Sequence, residues 1–142
     1  MDFSGDIKRI IGFFRDREEV SALYIFGSAA KGKGTNESDI DVAVLINDRK
    51  RGKQTFESLR KTYYGISPKL SSRPLDIVIL NTAPPFLKYR IIRTGEVLFD
   101  KNRKLRVRFK ANALIEYFDY QPIEAICLKA VGGRFRRAAV GR

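Results

Sequence analysis

The 142-residue chain has no histidine and a single cysteine, Cys127. An intrachain disulfide is therefore excluded, and zinc has no ligand set, because neither histidines nor spaced cysteines are there to supply one. Acidic residues are scarce too: 16 Asp and Glu stand against 28 Lys and Arg, a formal charge of +12. No apolar run approaches the roughly 20 residues of a membrane-spanning helix. The N-terminus, with Asp2 and Asp6 flanking Phe3, lacks the basic-then-apolar pattern of a signal peptide. The cytoplasm is the expected compartment. Repeats and internal linkers are also missing, and the length suits one domain.

With so few carboxylates, their placement is informative. Ser21-Ala22-Leu23-Tyr24-Ile25-Phe26 is a short apolar run that reads as a buried strand, and Gly27 ends it. Gly27 permits a sharp turn that brings backbone N–H groups close to phosphate oxygens, with the Ser28 hydroxyl as a further donor. Ala29-Ala30-Lys31 can open a short helix whose N-terminus favours an anion, and Lys31 lies where a phosphate contact is plausible. Ten residues after Ser28 comes Asp39-Ile40-Asp41, opening a second strand candidate that runs to Ile46. Residues two apart in a strand share a face, so both carboxylates project together. Such a pair repels itself unless a cation intervenes, and Mg²⁺ suits the role because it combines one or two carboxylates with substrate phosphates.

Asp76 is the only charged residue of a third strand-like run, Leu75 to Leu80. In a sheet that sets this run beside the Asp39/Asp41 strand, Asp76 completes a three-carboxylate cluster able to hold two metal ions, the arrangement that stabilises attacking and leaving oxygens at phosphorus. Without any histidine, Asp76 is also the candidate to take a proton from an attacking hydroxyl. Each feature alone has an ordinary reading: a strand-end turn, a solvated strand edge, a loop cap. Their order and spacing together point to nucleotidyl transfer.

Gly27-Ser28, Asp39-x-Asp41 and Asp76 resemble the DNA polymerase β-type nucleotidyltransferase superfamily. Gly27 to Gly32, Ser38 to Leu45, Asp76 to Asn81 and Ile91 to Phe99 are similar to the minimal nucleotidyltransferases of the MntA type, over roughly residues 5 to 120. The resemblance implies an antitoxin that transfers AMP from ATP to tyrosine hydroxyls of a HEPN-domain RNase toxin. It further implies that Asp39 and Asp41 hold Mg²⁺, that Asp76 completes the metal site and activates the acceptor, and that Gly27 and Ser28 bind the triphosphate.

Three alternatives stand beside this reading. Gly27 to Lys33 fits G-x-x-x-x-G-K, but Gly34 follows where a Walker loop needs Ser or Thr, and three or four strands are few for such a domain. The fold could instead act without chemistry, neutralising a partner by contact or holding RNA through its basic runs. An adenylyltransferase of a small molecule such as an aminoglycoside is the third.

The expected architecture is an α/β (α+β) unit, a small mixed sheet of three to four strands flanked by helices. Helices are expected over 4–18, with Ser4 as N-cap, over 53–66, over 86–94 after Pro84-Pro85, and over 104–120; Val97-Leu98-Phe99 returns as a short strand. Residues 1–130 form the nucleotidyltransferase domain, and 131–142 a basic tail, flexible or partner-bound. Tyr117, Phe118 and Tyr120 suit either core packing or an interface. Positive charge gathers in Arg49-Lys50-Arg51-Gly52-Lys53 and between Lys101 and Lys110, as a solvated face or a nucleic-acid contact.

Overall fold

The computed structural model describes residues 3–27 and 39–140, with side chains for 4–27 and 39–122. In chain order the elements are α1 (Phe3–Arg15), β1 (Val20–Phe26), β2 (Ile40–Ile46), α2 (Phe56–Leu70), β3 (Leu75–Ile79), α3 (Pro85–Thr94), β4 (Glu96–Asp100) and α4 (Arg103–Val140). Single 3₁₀ turns at Asp48–Lys50 and Leu80–Thr82 follow β2 and β3.

The strands form one mixed sheet in the order β3-β2-β1-β4. β1 pairs antiparallel with both β2 and β4, whereas β2 and β3 run parallel. A parallel pair needs a crossover, and α2 supplies it. Alternation along the strands then sorts the core into two layers. Leu23, Ile25, Val42, Val44, Ile77 and Ile79 pack with Ile10 and Phe14 of α1 and with Leu59 and Tyr63 of α2. Ala22, Tyr24, Phe26, Ala43 and Leu45 face the other way, toward Ile91 of α3 and Leu105 and Phe109 of α4. By the same period of two, Asp39, Asp41 and Asp76 belong to the α3 side of the sheet.

Helix boundaries depart from the sequence expectation at several ends. α1 begins at Phe3, so Ser4 lies inside its first turn rather than capping it. α2 starts at Phe56 behind a capping box, in which Thr55 Oγ1 accepts from Ser58 N at 3.0 Å and Ser58 Oγ accepts from Thr55 N at 3.1 Å. It then continues past Gly65 and Pro68 to Leu70. Pro68 has no N–H for the Tyr64 carbonyl, and the Ser67 hydroxyl donates to that carbonyl instead at 2.8 Å. α4 runs on to Val140, through Pro122, so the backbone of the final basic segment continues the helix as far as that residue.

Two polar networks brace the layers. Fully buried Asp6 of α1 accepts from Arg9, and from Ser72 Oγ at 3.2 Å, which ties α1 to the segment leading into β3. The Asn81 side chain donates to Ile46 O at 2.9 Å and accepts from Ile46 N at 2.8 Å, holding the end of β2 after β3 has stopped. Tyr117 of α4 stacks on Tyr89 of α3 with ring centroids 4.0 Å apart, a half-buried pair that joins the two helices outside the core layers, while Phe118 remains 56% exposed. Among the described residues, no helix is long and apolar enough to cross a membrane.

Candidate active site

Gly27 ends β1 with φ +73°, a left-handed conformation that a side chain disfavours. Phe26, just before it, pairs with Asp41. A Cβ built on Gly27 would collide with Asp41 Oδ2, so the absence of a side chain lets this turn lie directly against the carboxylate. The glycine therefore meets two demands at once, backbone hand and close approach.

Asp41 and Asp76 are register partners across the parallel β2–β3 pair, a spacing of about 4.8 Å between strands. Asp39 is exposed immediately before β2, where Ile40 N donates to Pro74 O at 3.0 Å and so joins the starts of the two strands. The half-buried Asp41 carboxyl is pushed above its usual range, first by burial, then by the negative charges of Asp76 and Asp39; Arg90 of α3 opposes them only in part. The sequence-predicted trio is thus brought to one end of the sheet. Among the described residues no three carboxylate, His or Cys groups close into a ready-made cation cage.

The donor set nevertheless fits Mg²⁺. Burial first, and then the charges of Asp76 and Asp39, hold the Asp41 carboxyl above its usual range, a strain that a cation beside it would relieve, and Mg²⁺ completes its shell with water and substrate phosphate rather than with an all-protein cage. Ser28 and Lys31, the other expected phosphate contacts, lie outside the described residues.

Asp76 is exposed, and Tyr64 of α2 reaches round the free edge of β3 to it. The Tyr64 hydroxyl lies 3.0 Å from Asp76 Oδ1 and 3.2 Å from Ile77 O as donor, and accepts from Ile77 N at 2.8 Å. Burial and then this carboxylate raise the Tyr64 pKa, against the backbone contact and Arg60, so the phenol holds its proton and serves as a donor. A groove of about 440 Å³ runs along the β3 edge from Asp76, bordered by Arg60, Tyr64, Val78, Pro84 and Leu87. Tyr64 and Arg90 escaped the sequence reading, because each reaches the site only through the packing of its helix on the sheet.

Residues 8–104 match the polymerase beta nucleotidyltransferase family. The chain belongs to that family. A candidate protein adenylyltransferase of Methanocaldococcus jannaschii is 31% identical to it over 91 residues, 64% of this chain and 65% of that protein. The chain thus spans 65% of the length of this curated relative. Solved structures share the polymerase beta fold. One chain from the complex of a tri-AMPylated Shewanella oneidensis HEPN toxin with an MNT antitoxin superposes with a TM-score of 0.68 at 21% identity, over 89% of this chain and 95% of that one. Another, from a toxin–antitoxin structure with AMP-PNP, superposes at 0.65 with 23% identity, over 87% of this chain and 96% of that one.

Proposed function

We propose that this family member transfers AMP from ATP to a tyrosine hydroxyl of a HEPN-domain toxin, and so acts as its antitoxin. The observation that carries the proposal is the placing of Gly27 against Asp41, with Asp76 in register beside it. A backbone turn for phosphate and a carboxylate pair for cations share one strand end. The M. jannaschii relative's name and the AMPylated toxin of the S. oneidensis complex support this choice of reaction and acceptor.

In this reading Asp39 and Asp41 hold Mg²⁺ and Asp76 completes a site for two ions. The ions, when bound, supply charge neutralisation at the phosphates and at the oxygens that attack and leave. The turn at Gly27, with Ser28 and Lys31, binds the triphosphate. The acceptor oxygen bonds to the α-phosphorus, the bond from that phosphorus to its bridging oxygen breaks, and pyrophosphate departs. Asp76 takes the acceptor's proton, while Tyr64 keeps the Asp76 carboxylate oriented. The groove beside Asp76 admits the acceptor segment, and Phe86, Ile115 and Phe118, each at least 50% exposed, offer apolar contact to the partner. A cytoplasmic setting accords with ATP as donor.

Donor label separates this chemistry from mere binding. With ATP, Mg²⁺ and the toxin, label in the α-phosphate is expected to become covalently attached and label in the γ-phosphate is not. Asp39→Asn and Asp41→Asn abolish attachment in folded protein. Stable association of toxin and chain without α-label transfer would reject the enzyme reading.

A further inference from the structure

Two basic runs separated by about fifty residues of sequence meet in space at the end of the sheet opposite the carboxylates. β1 begins between them: Val20 pairs with Ile46 at the end of β2, and Ala22 pairs with Asp100 at the end of β4. The 3₁₀ turn after β2 and the first turns of α4 therefore face each other across a cleft of about 500 Å³. Arg49, Lys50, Lys104 and Arg108 line it, all exposed, together with Asn47 and Asn102. The one carboxylate in the lining, Asp48, is paired with Arg51. Just behind, Lys101 donates to Arg17 O at 2.8 Å. Its pKa is lowered by burial first and also by the Lys50 and Arg15 charges, against Glu19 and Asp16.

The cleft is concave and strongly positive, so its ligand is a polyanion rather than an isolated ion. It carries no aromatic side chain, which argues against single-stranded nucleic acid, whose bases need stacking surfaces. Asn47 Oδ1 accepts from Arg49 N and Asn102 Oδ1 accepts from Leu105 N, both at 3.1 Å. Their oxygens are thus engaged as caps, leaving the amide N–H groups as donors for phosphate or for a ribose hydroxyl. β2 has seven residues, so the cleft lies about 20 Å from Asp41, clear of the proposed nucleotide site.

We propose that this cleft binds the sugar–phosphate backbone of helical RNA, a site distinct from the one that transfers AMP. Recognition is by charge and 2′-hydroxyl contact, without base readout. Such a site would hold the chain on folded RNA while the carboxylate end of the sheet stays open.

Fluorescence anisotropy of the full chain with a labelled RNA duplex tests the proposal. Four phosphate contacts give a slope of log K against log salt of about −3 to −4, a loss of roughly 10²-fold between 50 and 200 mM. Removing three cations with Arg49→Gln, Lys104→Gln and Arg108→Gln weakens binding about tenfold or more and flattens the slope by about 2 to 3. The triple variant keeps the wild-type melting temperature and nucleotide transfer. A control of equal charge, Lys8→Gln, Lys61→Gln and Lys69→Gln on α1 and α2, binds RNA nearly as wild type. Equal loss in both triples would show a diffuse charge effect and overturn the site. Equal affinity for a DNA duplex of the same length would overturn the choice of RNA.

Discussion

Replacing Gly27 with alanine separates the two demands on that residue. A non-glycine residue at φ +73° carries a strain of about 1–2 kcal/mol, which for a chain of this size lowers Tm by roughly 2–8 °C. The new methyl also meets Asp41 Oδ2, and the carboxylate must retreat by roughly 1 Å to reach van der Waals distance. Displacing a group at the reacting centre by that much costs about 10²-fold in rate. Gly52 supplies an internal control, since its φ is +62° but a Cβ there meets nothing within 4 Å. Gly52→Ala should therefore lose a similar amount of stability and none of the activity. Thermal melts and α-label transfer from ATP, run on both variants, read the two effects separately. If Gly27→Ala transfers label at the wild-type rate, or both variants lose activity in proportion to stability, the close approach of this turn to Asp41 plays no part in catalysis.

Tyr64→Phe removes the donor to Asp76 and the acceptor for Ile77 N. It should cost about 1 kcal/mol of stability and slow transfer roughly fivefold, seen as a fall in kcat with little change in the KM for ATP. Glu19 accepts from the Tyr63 hydroxyl at 2.7 Å and from Arg17 Nε at 2.9 Å. Burial raises its pKa, but Tyr63, the backbone and Arg17 together outweigh burial and lower it. Its contribution is thus present above the ordinary carboxylate range and disappears as pH falls through the lowered folded value. Glu19→Gln should reduce the melting temperature at neutral pH and shrink the difference between neutral and acid melts.

The parts of this fold that follow local rules were legible from residue order. All four strands lie within about one residue or two of their expected bounds, because buried β-branched runs and their glycine or proline borders are local signals. α2 departs from its expected span of 53–66 at both ends. Its start is fixed by the Thr55–Ser58 capping box, and its passage through Pro68 depends on the Ser67 hydroxyl replacing one missing donor. α4 likewise runs on through Pro122 to Val140, beyond the expected end at residue 120, where the apolar stripe that marks the helix in the sequence stops.

At the candidate site, the aspartates stand out in the sequence by their spacing, but their meeting was a conditional statement about strand neighbours. The in-register pairing of Asp41 with Asp76 satisfies that condition. Tyr64 and Arg90 were not legible, since each depends on how a helix crosses the sheet. The same holds for the basic cleft, where neither charged run signals that the other lies opposite it.

The central claim is that carboxylates at the end of β2 and β3 carry AMP to a protein hydroxyl. Mass spectrometry of the HEPN-domain partner after incubation with this chain, ATP and Mg²⁺ tests it most directly. The account predicts AMP on tyrosine of the partner with the wild-type chain, and an unmodified partner with Asp41→Asn. An unmodified partner under wild-type conditions, or equal modification by Asp41→Asn, would contradict it.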